Sequence, residues 1–328
     1  MKIALALQGG GAHGAYTWGV LDRLLEYPGL KVAAVSGASA GAVNAIALAE
    51  GWRLGKAEGA KDKLNAVWSA IATERAPSHL FGLPLPGANF ELQHAALRHA
   101  FEWTRWMTPE QLNPLDIDPL RAVLDAQIDF EGLARAKDMH LFISATDIES
   151  RKARIFRRAE ISRDVILASS CLPHLHRSVL IDGRRYWDGG LSSNPPLWPL
   201  IIDAATNHIV LVRLTGAAGK AEPLNINDIR AELEQLSFEA PLMAELSSID
   251  AARSLARQSL MPFGRLETRL RALRLDTIGS PEWLGQLDPV SRADTASAFL
   301  AQLRERGRQA ASDWLQQISA HLEAGAAS

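Results

Sequence analysis

The sequence predicts an α/β fold built on a mainly parallel sheet, and three observations predict it. Short apolar runs alternate with helical patterns through the first fifty residues. Two of those runs end in glycine-rich turns that open straight into a helix. Further short apolar runs recur downstream, with no internal repeat and no low-complexity tract. Strands that alternate with helices belong side by side in a parallel sheet, the helices forming crossovers on its faces.

The elements follow in order. Residues 2–7 form an apolar run stopped by Gly9-Gly10-Gly11, a buried strand and a tight loop. Residues 15–26 carry Val20, Leu21, Leu24 and Leu25 on one side and Asp22, Arg23 and Glu26 on the other, an amphipathic helix. Residues 32–35 are a second apolar run. It breaks at Ser36-Gly37 and resumes over 40–49, small and apolar nearly all round, so that helix should be buried. Residues 76–90 and 107–119 are proline-rich and flank a helical pattern near 91–103; 76–119 reads as a lid or insertion. Residues 139–146 read as another buried strand, and 152–156 alternate as a strand beside it would. Ser162 is the expected N-cap of a helix over 163–170. Residues 179–181 and 184–187 around Asp182-Gly183 read as a hairpin, and 208–214 as the last clear core strand.

Beyond about residue 216 the texture turns helical. Ile229, Leu233 and Leu236 follow helical spacing, and Ser291-x-x-Asp294 reads as a capping-box-like start to a helix striped by Phe299, Leu303, Ala310, Trp314 and Ile318. The expected organisation is a catalytic domain over 1–215 and a mostly helical C-terminal part over 216–328 packed on it.

Bulk properties narrow the function. The 328 residues are 47% hydrophobic and 22% charged, ordinary for a globular chain. A net charge of −2 lacks the basic excess of a polyanion binder, so no nucleic-acid partner is expected. The single cysteine, Cys171, makes no internal disulfide and reads as a small buried hydrophobe. The N-terminal apolar run is too short for a secretory core, and no stretch approaches the ~20 apolar residues that span a bilayer. The expected location is cytoplasmic, with membrane contact peripheral.

Three motifs carry chemistry. Gly37-Ala38-Ser39-Ala40-Gly41 is a G-x-S-x-G pentapeptide between an expected strand and an expected helix, the setting of a nucleophile elbow. Gly37 and Gly41 remove side chains that would collide in the sharp turn, and the following helix aims its N-terminus at developing negative charge. Gly9-Gly10-Gly11-Ala12-His13-Gly14 also follows a strand and opens a helix. Its converging N–H groups fit an oxyanion hole or a phosphate loop. It lacks the G-K-[ST] ending of a Walker loop and clean G-x-G-x-x-G spacing, and the neighbouring elbow favours the oxyanion reading. Asp188-Gly189-Gly190, at a strand end, is weak alone.

In this order the three motifs resemble the patatin-like phospholipase family. The likeness runs over about residues 1–214 and includes Ala145-Thr146-Asp147, the stretch 169–173 and Asn194-Pro195. It implies a three-layer α/β/α fold with a mainly parallel central sheet and a Ser–Asp dyad without histidine. Carried over, Ser39 is the nucleophile and Asp188 the base. Gly9, Gly10, Gly11 and Ala40 surround the oxyanion, with Gly14, Gly37, Gly41, Gly189 and Gly190 supporting. A free carboxylate is a poor base for a hydroxyl, so Asp188 should sit desolvated with a raised pKa. The implied function is hydrolysis of ester-linked fatty acyl groups from phospholipids or related lipids, with no cofactor and no metal and with a lipid ester, at a membrane or micelle surface, as partner. A general carboxylesterase or thioesterase on the same site, a nucleotide-binding regulator using the glycine loop, and a catalytically silent lipid binder are the competing readings.

Two departures stand out. His13 occupies a loop position where family members often carry arginine or lysine, and a histidine that hydrogen-bonds the loop is the favoured reading. His174 and His176 replace apolar residues near the expected mouth of the site. One of them would serve a Ser–His–Asp triad; surface or pocket-lining roles are favoured. Arg253, Arg257, Arg265, Arg269, Arg271 and Arg274 cluster in the C-terminal part. They read as a solvated helix face, or as a strand near 272–278 with the arginines outward, in preference to a surface for anionic lipid. Trp68, Trp103 and Trp106 would line an acyl groove or fill the core.

Overall fold

A computed structural model describes residues 1–73, 106–215, 226–258, 264–279 and 281–326. The expected helix near 91–103, Trp103 and most of the 76–119 segment lie outside the described residues.

Eight strands form one sheet: β1 (Lys2–Leu7), β2 (Lys31–Gly37), β3 (His140–Asp147), β4 (Lys152–Arg157), β5 (Val179–Ile181), β6 (Arg184–Asp188), β7 (His208–Val212) and β8 (Arg274–Ile278). Their order is β5-β6-β3-β2-β1-β7-β8, with β4 also on β3. The β2–β3, β1–β2, β1–β7 and β7–β8 pairs are parallel, whereas β4, β6 and β5 add antiparallel strands at one side. β1 alternates large and small side chains. Ile3, Leu5 and Leu7 face one layer of helices, and Ala4 and Ala6 face the other. The first layer holds α1 (Gly14–Leu25) and α2 (Ala40–Thr73), the latter broken at Gly55–Lys56. This is the three-layer α/β/α arrangement with a mainly parallel sheet that the sequence predicts.

Short helices α3 (Pro109–Leu112), α4 (Pro119–Gln127) and α5 (Phe130–Arg135) lead into β3, and α6 (Arg163–Ser169) starts at Ser162, whose hydroxyl accepts from Val165 N. The β5–β6 hairpin turns through Asp182 (φ 49°) and Gly183 (φ 79°), both left-handed as a two-residue hairpin turn requires. Residues after 194 add α7 (Trp198–Asp203), α8 (Ile226–Gln258), α9 (Arg265–Ala272), α10 (Pro281–Gln286) and α11 (Ser297–Ala326).

The C-terminal residues do more than cap the sheet with helices, because β8 extends it beyond β7. On the opposite layer, α11 lies along α1 at backbone contact. A Cβ on Gly19 would strike the Arg304 carbonyl, and one on Gly307 the Tyr16 carbonyl. Asp22, buried in that seam, pairs with Arg304 at 2.7 Å and Arg308 at 2.6 Å. The Arg304 guanidinium sits 4.5 Å over Trp18, which stacks on Trp68. Trp68 thus fills core, while Trp106 is exposed.

Ile229, Leu233 and Leu236 lie on α8, as their helical spacing predicts, and are 42%, 60% and 50% exposed; α8 turns Leu242, Ile249 and Ala256 inward. Two expectations need correction. Ser291-x-x-Asp294 does not open the last helix. Ser291 lies in a 3-10 turn, Pro289–Ala293, and α11 begins at Ser297. The expected strand over 208–214 ends at Val212, because Gln8 Oε1 takes the Leu214 N–H at 2.7 Å in place of a strand partner. The arginine cluster is largely spent inside the fold. Arg253, Arg269 and Arg271 donate to backbone carbonyls, and Arg274 pairs with Asp276. No helix among the described residues is long and apolar enough to cross a membrane.

Candidate active site

Ser39 stands between β2 and α2 with φ 54°, in the left-handed region. A serine pays about 1–2 kcal/mol for that conformation, and glycine is exempt. The turn is held by Ser39 N, which donates to Ser169 Oγ at 3.0 Å. Replacing Ser39 by glycine relieves the strain, less the entropy glycine adds to the unfolded chain. Ser39→Gly is therefore expected to exceed Ser39→Ala in stability by roughly 0.5–1 kcal/mol. Urea midpoints of the two variants check this, and equal midpoints would refute a strained turn.

Close packing sets what surrounds the serine. A Cβ on Gly9 would lie 2.8 Å from both Ala38 O and Ser39 Cβ, so the glycine loop rests on the elbow itself. On Gly41 it would strike the Leu7 carbonyl, and on Gly37 it would sit 2.8 Å from Ala42 N. Asn44 Nδ2 ties the first turns of α1 and α2 together by donating to Gly14 O at 2.9 Å. The Gly9 N–H is already spent on Asn194 Oδ1 at 2.7 Å, which removes Gly9 from the expected set of oxyanion donors. Among the described residues the N–H groups of Gly10, Gly11 and Ala40 make no hydrogen bond.

Asp188 ends β6 and is fully buried. Its N–H donates to Cys171 O at 2.8 Å, its carbonyl accepts from Thr146 Oγ1 at 2.7 Å, and its Oδ1 accepts from Gly190 N at 2.7 Å. Its Oδ2 is buried without a hydrogen-bond partner. Burial raises the carboxyl to a pKa of about 7, against which the Gly190 N–H and the Ser39 hydroxyl pull downward. Among the described residues no hydrogen bond joins the Ser39 hydroxyl to Oδ2. Gly189 is packed against the Ser144 carbonyl, and the Phe238 ring of α8 lies 2.7 Å from where a Gly190 Cβ would be. The loop beyond is pinned by Glu245, which accepts from Leu197 N, Trp198 N and Ser193 Oγ.

The histidines lie elsewhere. His13 is buried with Nε2 2.8 Å from Ser291 Oγ. Burial first, and the Arg292 charge second, push its pKa down to about 3, so it is neutral at ordinary pH. Its ring bonds the 3-10 turn Pro289–Ala293, while its backbone N–H donates to Gly10 O of its own loop at 3.2 Å. His174 is exposed. Burial lowers the His176 pKa against the opposing pull of Asp118 and Asp116, and these three residues line a cavity of about 350 Å³ with Ser170, Cys171 and Arg177. No hydrogen bond joins either histidine to Ser39 or Asp188 among the described residues, so the structure does not assemble a triad through them. Cys171 is buried and its thiol is pushed up to about 12 by burial and the Asp188 charge, which makes it inert. Among the described residues no group of three or more His, Cys, Asp or Glu is placed to hold a metal.

A three-layer α/β/α fold with a mainly parallel sheet and a glycine loop packed on a strand–turn–helix serine defines the class of the protein as α/β. Within that class, the chain belongs to the patatin-like phospholipase family, whose model matches residues 5–201. No curated protein matches the chain. Among solved structures, VipD from Legionella pneumophila aligns with a TM-score of 0.46 and 16% identity, over 96% of this chain and 66% of that one. The chain therefore spans just under two thirds of that structure's length.

Proposed function

We propose that the protein is a serine acyl hydrolase that cleaves ester-linked fatty acyl groups from phospholipids or related lipids, with Ser39 as nucleophile and Asp188 as base. The observation that carries this reading is the buried Asp188 carboxyl beside the elbow hydroxyl, poised near neutral pH by desolvation. Ser39 Oγ attacks the ester carbonyl carbon as Asp188 takes its proton. The N–H groups of Gly10, Gly11 and Ala40 receive the oxyanion, and the N-terminus of α2 adds its dipole. Collapse of the tetrahedral species breaks the ester C–O bond, and Asp188 returns the proton to the leaving alcohol. Water then hydrolyses the acyl-serine with Asp188 again as base. The Gly190 N–H holds Oδ1 and leaves Oδ2 for the proton in transit. A phosphate-loop reading is disfavoured because the first loop N–H is spent on Asn194 and the loop lies on Ser39.

A fluorophosphonate probe should label the wild type and spare Ser39→Ala, with short- and long-chain ester hydrolysis lost in parallel. Because the base must be ionised, kcat/KM is expected to rise with pH through about 7 and then level. Labelling that survives Ser39→Ala, or a flat profile from pH 4 to 8, would sink the dyad. Preference for soluble short esters over micelles would instead favour a general carboxylesterase.

A further inference from the structure

We infer that Asn194 is a positioning residue of the oxyanion hole: its side-chain amide ties the glycine loop to α8 and so fixes where the Gly10 and Gly11 N–H groups point. This rests on the acyl-hydrolase reading above and adds to it a residue, and a helix, that act on the reaction through the loop.

Three successive glycines, Gly9, Gly10 and Gly11, give the loop a backbone freedom that no Cβ restrains. A side chain cannot stiffen the first of them, because a Cβ on Gly9 would lie 2.8 Å from both Ala38 O and Ser39 Cβ. Oxyanion donors are effective only when already aimed, so the loop needs ties from elsewhere. Gln8 N donates to Val212 O at 3.2 Å and holds the chain just before the loop. Asn194 Oδ1 then takes the Gly9 N–H at 2.7 Å, and His13 N takes hold of Gly10 O at 3.2 Å. Each peptide unit is a plane. The plane with Gly10 O also carries the Gly11 N–H. The plane with the Gly10 N–H lies between that one and the one Asn194 holds. Releasing the Gly9 N–H therefore frees the middle plane to turn, and with it the Gly10 donor.

What holds Asn194 is the second observation. It is 1% exposed, and both ends of its amide are used. Oδ1 faces the loop, and Nδ2 donates to Phe238 O of α8 at 3.1 Å. A carboxamide suits the place because it sets an acceptor and a donor on one short planar group. The residues on either side are pinned as well. Glu245 of α8 accepts from Leu197 N at 2.7 Å, Trp198 N at 2.8 Å and Ser193 Oγ at 3.2 Å. Ser193 N donates to Gly189 O at 2.9 Å, beside Asp188. The stretch 188–198 thus carries the base at one end and the tie to the loop further on, and α8 supports it throughout. That support comes from outside residues 5–201, which the family model matches, since α8 spans Ile226–Gln258.

The test compares Asn194→Ala with wild type on a short-chain ester, with rates expressed per serine titrated by a fluorophosphonate. kcat is expected to fall about 100-fold with KM nearly unchanged, the signature of an interaction made in the transition state alone. A trifluoromethyl ketone, whose serine adduct carries the oxyanion, should lose affinity by a similar factor. The matching ether, which cannot react, should bind as before. Asn194→Asp keeps an oxygen for the Gly9 N–H but turns another on Phe238 O, and should lose about tenfold in kcat; it decides the question if Asn194→Ala does not fold. A normal kcat per titrated serine, however little serine titrates, overturns the role, because Asn194 then only holds the fold. A loss carried by KM overturns it too, as does an unchanged ketone affinity. Should the wild type hydrolyse no ester, the acyl-hydrolase reading fails, and amide exchange decides whether Asn194 sets the loop. The Gly9 amide should then exchange about tenfold faster in Asn194→Ala, with the amides of β1 unaltered. Equal exchange at Gly9 overturns the inference.

Discussion

Asp188→Asn is expected to lower turnover by about 10²–10⁴-fold and, above neutral pH, to make the fold more stable. The activity loss follows from removing the proton acceptor while the amide keeps its oxygen for Gly190 N. The stability gain follows from the sign of the pKa shift. Burial raises the folded-state pKa from 3.8 to about 7. Below pH ~4 the carboxyl is protonated in both states and contributes nothing to pH dependence. Between ~4 and ~7 the folded chain keeps a proton that the unfolded chain has lost, so stability falls as pH rises; above ~7 the loss is complete. At 1.36 kcal/mol per pKa unit the full shift amounts to up to ~4 kcal/mol, a large part of the 5–15 kcal/mol that holds a domain together. Asparagine never ionises and escapes the loss. Urea unfolding of wild type and Asp188→Asn at pH 4.5 and 8.5 should show the gap between them widening toward high pH. A gap of the same size at both would mean that the carboxyl is not held near neutrality by the fold.

The other large effect comes from a single added methyl group. Gly41→Ala places a Cβ against the Leu7 carbonyl, 2.7 Å from the Leu7 carbonyl carbon and 3.0 Å from Gln8 O. All three are backbone atoms in the central strand and the start of the glycine loop, and none yields as a side chain would. The first turn of α2 must retreat, at a cost of about 1–3 kcal/mol. Ser39, two residues upstream, shifts with it, and a misplacement of about 1 Å is worth on the order of 100-fold in rate. Gly264→Ala, where a Cβ meets nothing within 4 Å, is the control. Melting temperature and ester hydrolysis should both fall for Gly41→Ala and neither for Gly264→Ala. Unaltered hydrolysis by Gly41→Ala would show that the elbow tolerates displacement.

What was legible in the sequence is what is local. The strand–turn–helix setting of Ser39, the glycine loop and the Asp182-Gly183 hairpin all announce themselves within a few residues. In the structure Gly9 of the loop lies against the Ser39 Cβ, and Asp188 ends β6 fully buried. What was not legible depends on partners far along the chain. Ser169 steadies Ser39 across 130 positions, Asn194 consumes the Gly9 N–H across 185, and Ser291 reaches His13 across 278. No spacing rule connects such residues. Ser169 and Asn194 did fall within stretches that the family resemblance covers, the one signal that pointed near them. Ser291-x-x-Asp294 misled for the opposite reason, since a real local pattern was put to use as a clasp on the loop. The outward stripe of Ile229, Leu233 and Leu236 shows the limit of periodicity, which reveals that a helix is two-sided but not which side the protein covers.

The seam between α1 and α11 carries a consequence for how the molecule is made. β1 lies inside the sheet and α1 beneath α11, yet these neighbours are separated by roughly 280 residues of chain, which a ribosome adding about 5–20 residues per second needs on the order of 15–60 s to supply. Through that interval the buried face of α1, with Asp22 not yet met by Arg304 and Arg308, stands open. The glycine loop waits as well, because its clasp, Ser291, emerges only shortly before α11. The order of synthesis, more than the strength of any one contact, decides when the site comes into being.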